Sequence, residues 1–330
     1  MNSTGWISLS RFLAVLGIVM LHSAAFFYNN FESETLGWSV GNIGNSVTRW
    51  AVPVFVMLSG ALILGASREY TAAEFYKRRL SRILIPLLFW SVFYSVVWYA
   101  QNRGSASIND VINNFIYGRP YYHMWFMFMI TGLYAVTPLI RPAIKKLDKS
   151  ASVKITVILF ILSSSEIILR YYAGYEEPVW IFWFIPFIAY FASGHLIIKY
   201  ELKDISITLC AMIATISCVF IHAMSEYYAH SGEKTQLFYE PLFPVVIIMS
   251  LSVYILLMKW SKPFNETLGR LSFGVYLIHP FFLGVYFKAA KAFTFSHPIE
   301  SFIISWSLCS VLSFIIAYLL KRMPYLNHTV

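Results

Sequence analysis

Two ionisable residues interrupt the first apolar stretch of the chain, Arg11 and His22. An ionisable group inside lipid is costly, so each is a functional candidate. On a helix, the eleven steps between them at about 100° each come to about 1100°, roughly 20° past three full turns. Arg11 and His22 therefore share one helix face, roughly 16 Å apart along the axis. A guanidinium binds phosphate and carboxylate groups. An imidazole takes or gives a proton near neutral pH, or attacks a carbonyl as a nucleophile. An anion-binding Arg near one membrane surface and a His deeper in suit a long anionic donor whose reactive end enters the membrane. The other ionisable residues in apolar runs are Glu166, His195, His222 and His279, with His123 at the edge of one.

The elements that must hold these groups follow from composition. The chain has 330 residues, of which 58% are hydrophobic and 12% charged, and its mean hydropathy is +0.63. Soluble domains carry about 25% charged residues, so an ordinary soluble enzyme is excluded, as are disordered and fibrous chains. Apolar runs fall at 9–28, 47–64, 83–100, 122–140, 153–170, 181–198, 206–223, 241–258, 273–291 and 301–320. Each approaches the roughly 20 residues a membrane helix needs. The prediction is an all-α, polytopic membrane protein of about ten transmembrane helices, with one membrane-embedded domain over residues 1–330. No Lys or Arg precedes Arg11, so the first run lacks the basic start of a cleaved signal peptide. Cys210, Cys218 and Cys309 lie in apolar runs without metal-ligand spacing and read as small core residues; no metal is expected.

Lys and Arg number 25 against 16 Asp and Glu, a formal net charge of +9. The excess is read as the cytoplasmic-loop bias of membrane proteins and not as nucleic-acid binding. One set of loops and helix ends holds Arg68, Lys77, Arg78, Arg79, Arg82, Arg141, Lys145, Lys146, Lys149, Lys154, Lys199, Lys203, Lys259, Lys262, Arg270, Lys321 and Arg322. The other set holds only Arg49, Arg103, Arg119, Arg170, Lys234, Lys288 and Lys291. The richer set is expected in the cytoplasm, with both termini on that side. The segments 29–46, 101–121, 171–180 and 224–240 then read as outward loops, rich in acidic and aromatic residues such as Glu32, Glu34, Asp110, Glu176, Glu177 and Glu240.

Further groups admit two readings each. Arg78 and Arg82 share a helix face beside Arg79, and together could hold phosphates or simply mark the cytoplasmic side and touch lipid headgroups. Glu166 stands four residues before Arg170, giving either a local ion pair or a carboxylate that orients a His or binds a sugar. His123 and Trp125 suit an interfacial belt or a sugar-stacking wall. His279 precedes Pro280, whose missing N–H frees a carbonyl for the ring to satisfy.

Several segments together resemble the acyltransferase 3 family of integral membrane acyltransferases. They are Ser10-Arg11-Phe12-Leu13 followed by His22-Ser23; Val52 to Gly60; Lys77 to Ile83 with Pro86; Tyr122 to Phe126 with Tyr134 and Pro138; and Ser272 to Pro280. The resemblance is patchy and covers about residues 6–285, in the family's order. It implies transfer of an acyl group, commonly acetyl, from cytosolic acyl-coenzyme A. The acceptor implied is a hydroxyl of a cell-surface glycan or of its lipid-linked precursor, at the cell inner membrane. Acetyl-CoA would then be a donor substrate, with no cofactor bound permanently. His22 matches the family's catalytic His and Arg11 its partner, with Glu166 a third catalytic candidate. Arg78, Arg79 and Arg82 are assigned to the donor, and His123, Trp125 and His279 to the acceptor. These assignments imply a passage lined by the Arg11–His22 face and continuous from the inner surface to the outer half. The length implies that the extra soluble domain of some relatives is missing. Rival readings are a transporter or flippase for a lipid-linked sugar and, through Glu32 and Glu34, a membrane glycosyltransferase.

Overall fold

A computed structural model of the chain describes residues 5–67, 69, 71–102, 104, 106–176, 178–201, 204–260 and 262–330. Of the charges used above, Arg68, Arg103, Glu177 and Lys203 lie outside the described residues. The helices are α1 (Gly5–Asn30), α2 (Leu36–Thr48), α3 (Ala51–Leu64), α4 (Ala72–Phe75), α5 (Ser81–Gln101), α6 (Ile108–Ile116), α7 (Trp125–Lys146), α8 (Lys149–Ala173), α9 (Ile188–Lys199), α10 (Ile207–His230), α11 (Pro244–Met258), α12 (Glu266–Ala289), α13 (Lys291–Ser296) and α14 (Pro298–Arg322). Among the described residues they compose ten spans long and apolar enough to cross a membrane, as the sequence predicts. We call the end where α1 begins basal and the end where it finishes apical.

Helix α1 is the axis of the bundle and packs against α2, α3, α11, α12 and α14. The spans at α8, α10 and α14 are peripheral and turn apolar side chains such as Ile158, Leu162, Ile216, Val219 and Val311 outwards, as a lipid-facing surface requires.

Two segments read as outward loops are helical. Leu36–Thr48 forms α2, capped by the Thr35 side chain, which accepts from the Trp38 N–H. Its Gly, Asn and Ser content lowers hydropathy, which is why the second run appears to start only at 47. Those small residues pack. A Cβ at Gly41 would lie 2.3 Å from the Tyr28 nitrogen, and one at Gly44 would lie 2.7 Å from Ala24 Cβ. Ile108–Ile116 forms α6, started by a capping box between Ser107 and Asp110.

Helices α2 and α3 form one span broken at Arg49 and Trp50. Pro53 explains the break, because its missing N–H is the one that would close on the Arg49 carbonyl. Arg49 is therefore not in an outward loop. It lies inside the second span.

Backbone contact between α3 and α9 is equally tight. A Cβ on Gly60 would fall 1.7 Å from the Phe191 carbonyl oxygen, and one on Gly194 would fall 1.9 Å from that of Met57. Small residues are what allow helices to approach this closely in a membrane. Main-chain atoms cannot swing aside, so Gly60→Ala and Gly194→Ala should each cost at least about 1–3 kcal/mol and lower the unfolding temperature in detergent. Gly284→Ala, whose Cβ would meet nothing nearer than 3.7 Å, should not. Equal unfolding temperatures for all three variants would refute the close packing.

Candidate active site

The second, sixth and eighth spans all lose regular helix in the apical half, and they do so around one cavity. In the second span the break is at Arg49–Trp50. In the sixth, Trp180–Phe182 and Ile185–Phe187 are single 3-10 turns. In the eighth, Leu237–Tyr239 is another, followed by a non-helical stretch up to α11. Prolines sit at each: Pro53, Pro178, Pro186, Pro241 and Pro244. The freed carbonyls have partners. Tyr190 donates to Pro241 O at 2.6 Å, Ser164 to Leu242 O at 2.8 Å, Ser163 to Pro186 O at 3.2 Å and Trp183 Nε1 to Pro178 O at 2.9 Å. Irregular backbone at membrane depth is tolerated where it is satisfied by protein and lines a cavity. The cavity has a volume of about 500 Å³, within the range of small-molecule sites.

His22 stands on its wall. Its Nδ1 is 2.7 Å from Nε2 of His279, and Nδ1 of His279 is 3.2 Å from the Val275 carbonyl oxygen. A carbonyl only accepts, so His279 carries its proton on Nδ1. In a neutral ring its Nε2 is then an acceptor, and His22 must donate from Nδ1. The chain of bonds assigns the free lone pair of His22 to Nε2, the atom a general base or a nucleophile would use. The edge of Tyr122 meets the His22 ring at a centroid distance of 5.0 Å.

The remaining wall combines aromatic faces with charge. Tyr121, Tyr122, Trp125, Phe126, Trp183 and Tyr239 line it, beside Arg49, Arg119, Glu166, Arg170 and Glu240. Tyr122 shows 51% of its surface, which as a lining residue it turns to the cavity. His123 is only 1% exposed, and neither ring nitrogen has a hydrogen-bond partner. Burial first, then the proximity of His279 and His22, holds it well below the usual imidazole range, so it is neutral.

Arg49 is the group that sequence reasoning missed. Its Nη1 donates to Tyr239 O at 3.1 Å, its Nη2 donates to Asn45 Oδ1, and its guanidinium lies 4.4 Å from the centre of the Tyr239 ring. Its buried Nε–H has no partner. The available signal was a proline four residues after an Arg inside an apolar stretch.

The structure brings His22, Glu166, His123 and Trp125 onto one cavity. Glu166 also pairs with Arg170 at 3.4 Å. His279 stands behind His22, fully buried and not among the residues that line the cavity. His195 and His222 are off the lining as well. Arg11 belongs to a separate basal group, within electrostatic reach of Tyr134, Arg270 and Arg79. Arg78 and Arg79 lie on a π-helical turn, Tyr76–Leu80, and Arg82 follows in α5. Among the described residues, the lining of this cavity does not extend to Arg11. The α1 residues on the cavity lining are Ile18, Leu21 and His22, while Ala14 and Val15 below them are fully buried.

Residues 4–322 match the acyltransferase domain family of the acyltransferase 3 type. The chain belongs to this family. It is also similar to the succinoglycan biosynthesis protein ExoH of Rhizobium meliloti (strain 1021), with 31% identity over 122 residues. That match spans 34% of this chain and 32% of that relative. No solved structure matches the chain. Arg49 shares the cavity with His22 and lies within electrostatic reach of it, and for a membrane acyltransferase a fixed cation in the cavity is a means of meeting negative charge that develops on oxygen. Arg49→Met should therefore cut acyl transfer by about 10²-fold. Arg49→Lys should recover only part, since an ammonium cannot hold Tyr239 O and Asn45 Oδ1 as a planar fork does. Size-exclusion profiles and unfolding temperatures of the variants check that the fold survives. Wild-type rates in a folded Arg49→Met protein would remove Arg49 from the site.

Proposed function

We propose that the protein transfers an acyl group, acetyl first among candidates, from acyl-coenzyme A to a hydroxyl of a glycan held in the apical cavity. The observation that carries this reading is the His22 ring on the cavity wall, with Nε2 left as its unprotonated nitrogen. Family membership supplies the reaction class. The aromatic and carboxylate lining suits the apolar faces and hydroxyl edges of a sugar. The acceptor we favour is a cell-surface polysaccharide or its lipid-linked precursor, in line with the succinoglycan named for the relative. The basal end carries Lys77, Arg78, Arg79, Arg82, Lys145, Lys146, Arg270, Lys321 and Arg322, which by the positive-inside rule supports a cytoplasmic basal end and a chain seated in the cell inner membrane.

On this reading the donor's phosphates meet Arg11 and the third-span arginines, while its slim thioester arm reaches towards His22. Nε2 takes the proton of the acceptor hydroxyl, the hydroxyl oxygen attacks the thioester carbon, the carbon–sulfur bond breaks, and the thiolate takes the proton back. If the ring itself is first acylated, the same Nε2 is the atom that bonds.

Purified protein in lipid vesicles, given radiolabelled acetyl-CoA and glycan, provides the test. His22→Ala should lose about 10²–10⁴ in rate, the usual loss for a positioned base, with folding intact. Full transfer by that variant would refute the mechanism, and sugar movement without acyl transfer would favour a transporter. Arg79→Ala and Arg82→Ala should raise the KM for acetyl-CoA about tenfold and leave that for the glycan unchanged, the loss expected from one charge-assisted phosphate contact. Unchanged donor KM in both would reduce the cluster to a topology signal.

A further inference from the structure

The fully buried His279 is not on the cavity wall, and the mechanism above does not employ it. Its surroundings give it a direction. The Val275 carbonyl can only accept, so it receives the Nδ1–H of His279. Pro280, the next residue, lies within α12 and removes the N–H that would otherwise close on Tyr276. From α5 the Tyr94 hydroxyl donates to Leu277 O at 2.7 Å, and that of Tyr276 donates to His123 O at 2.6 Å. This turn is thus held by partners on other elements, and His279 within it is fully buried. Its Nε2 is presented at 2.7 Å to His22 Nδ1, with the two ring planes only 3° apart.

We propose that His279 is a positioning residue that fixes the tautomer of His22, so that Nε2, facing the cavity, is always the proton-free nitrogen. The inference rests on the reading of His22 as the reacting group. In the familiar acid–base triads the orienting partner of a histidine is a carboxylate. Here it is a neutral imidazole, itself oriented by a backbone carbonyl. Among the described residues no carboxylate bridges to either ring. The difference has a chemical consequence. A carboxylate would hold a proton-loaded His22 as a stable ion pair. An uncharged acceptor fixes the ring's direction without that pull, so the proton taken from a hydroxyl is returned readily to the leaving thiolate. It also avoids an isolated anion in the apolar interior, which would be costly there.

The pair of variants His279→Leu and His279→Gln tests this in the full-length protein in lipid vesicles. Leucine fills the space without an acceptor, whereas the glutamine side-chain oxygen can take the His22 Nδ1–H. The tautomer of His22 is read from imidazole 15N shifts in histidine-labelled protein, with the His22 signal identified by its loss in His22→Ala. We expect wild type and His279→Gln to show His22 protonated on Nδ1, and His279→Leu to move population to the Nε2–H form. In His279→Leu, kcat should fall about 10²-fold with both KM values within about twofold of wild type, and His279→Gln should recover at least about tenfold of that loss. Wild-type kcat in His279→Leu overturns the proposal. So does lost activity with an unchanged His22 tautomer, which would mark a packing role, or a folded His279→Gln no better than His279→Leu. The two readings fail separately. An active His22→Ala sinks the base assignment whatever His279 does, while an inactive His22→Ala with an active His279→Leu sinks only the present inference.

Discussion

A chain in hydrocarbon cannot leave a backbone N–H or C=O without a partner, and this constraint shapes the molecule more than any side-chain contact does. Most of each span meets it by staying helical. The second, sixth and eighth spans do not in their apical halves, and there each departure is at a proline and on the same cavity. The cost is met by side chains from neighbouring helices: Tyr190, Ser163 and Ser164 serve carbonyls of the sixth and eighth spans, and Arg49 serves Tyr239 O. Those residues build the cavity by allowing the backbone around it to be irregular. The same irregularity supplies space, since a broken helix leaves a volume that a packed helix would fill.

The cavity in turn explains how an ionisable ring survives within a span. His22 has one nitrogen committed to His279, and the residue lines space that can hold water or ligand. Position on α1 matters here, because α1 is locked to its neighbours by close backbone approach. A Cβ on Gly269 would lie 2.6 Å from Ser8 Cα, and one on Gly17 would lie 3.0 Å from Ala51 Cβ. Beside His22, the Ser23 and Ser305 hydroxyls are 2.5 Å apart. A site side chain is held in place best when its support is rigid, and these contacts make α1 such a support.

Much of this was legible in the chain. The ten spans follow from hydropathy, because lipid-facing residues dominate each apolar run. His22 and Glu166 stand out as charges where charges are costly. Helix α2 was not legible by that criterion, since it is held by glycines packed on α1 rather than by lipid, and hydropathy does not register packing. For the same reason Arg49 read as an outward-loop residue. The stripe of Gly37, Gly41 and Gly44 was a signal for the helix, but its partner surface on α1 is visible only in three dimensions. Helical spacing placed Arg11 and His22 on one face in angle, yet it could not reveal that the cavity at His22 stops short of Arg11.

That separation is informative about how two half-sites share one helix. Arg11 looks to Tyr134 on α7, and His22 looks to Tyr122, which lies just before α7. The face of α1 carrying both groups is therefore turned towards α7, whereas the glycine contacts with α2 and α12 and the Gly17–Ala51 contact with α3 occupy other faces. Backbone-to-backbone packing leaves no room for a substrate arm. Side-chain contacts can yield by rotamer changes at much lower cost. On the proposed function, a donor arm reaching from Arg11 towards His22, roughly 16 Å further along the helix, would therefore run along the side of α1 where Tyr134 and Tyr122 stand.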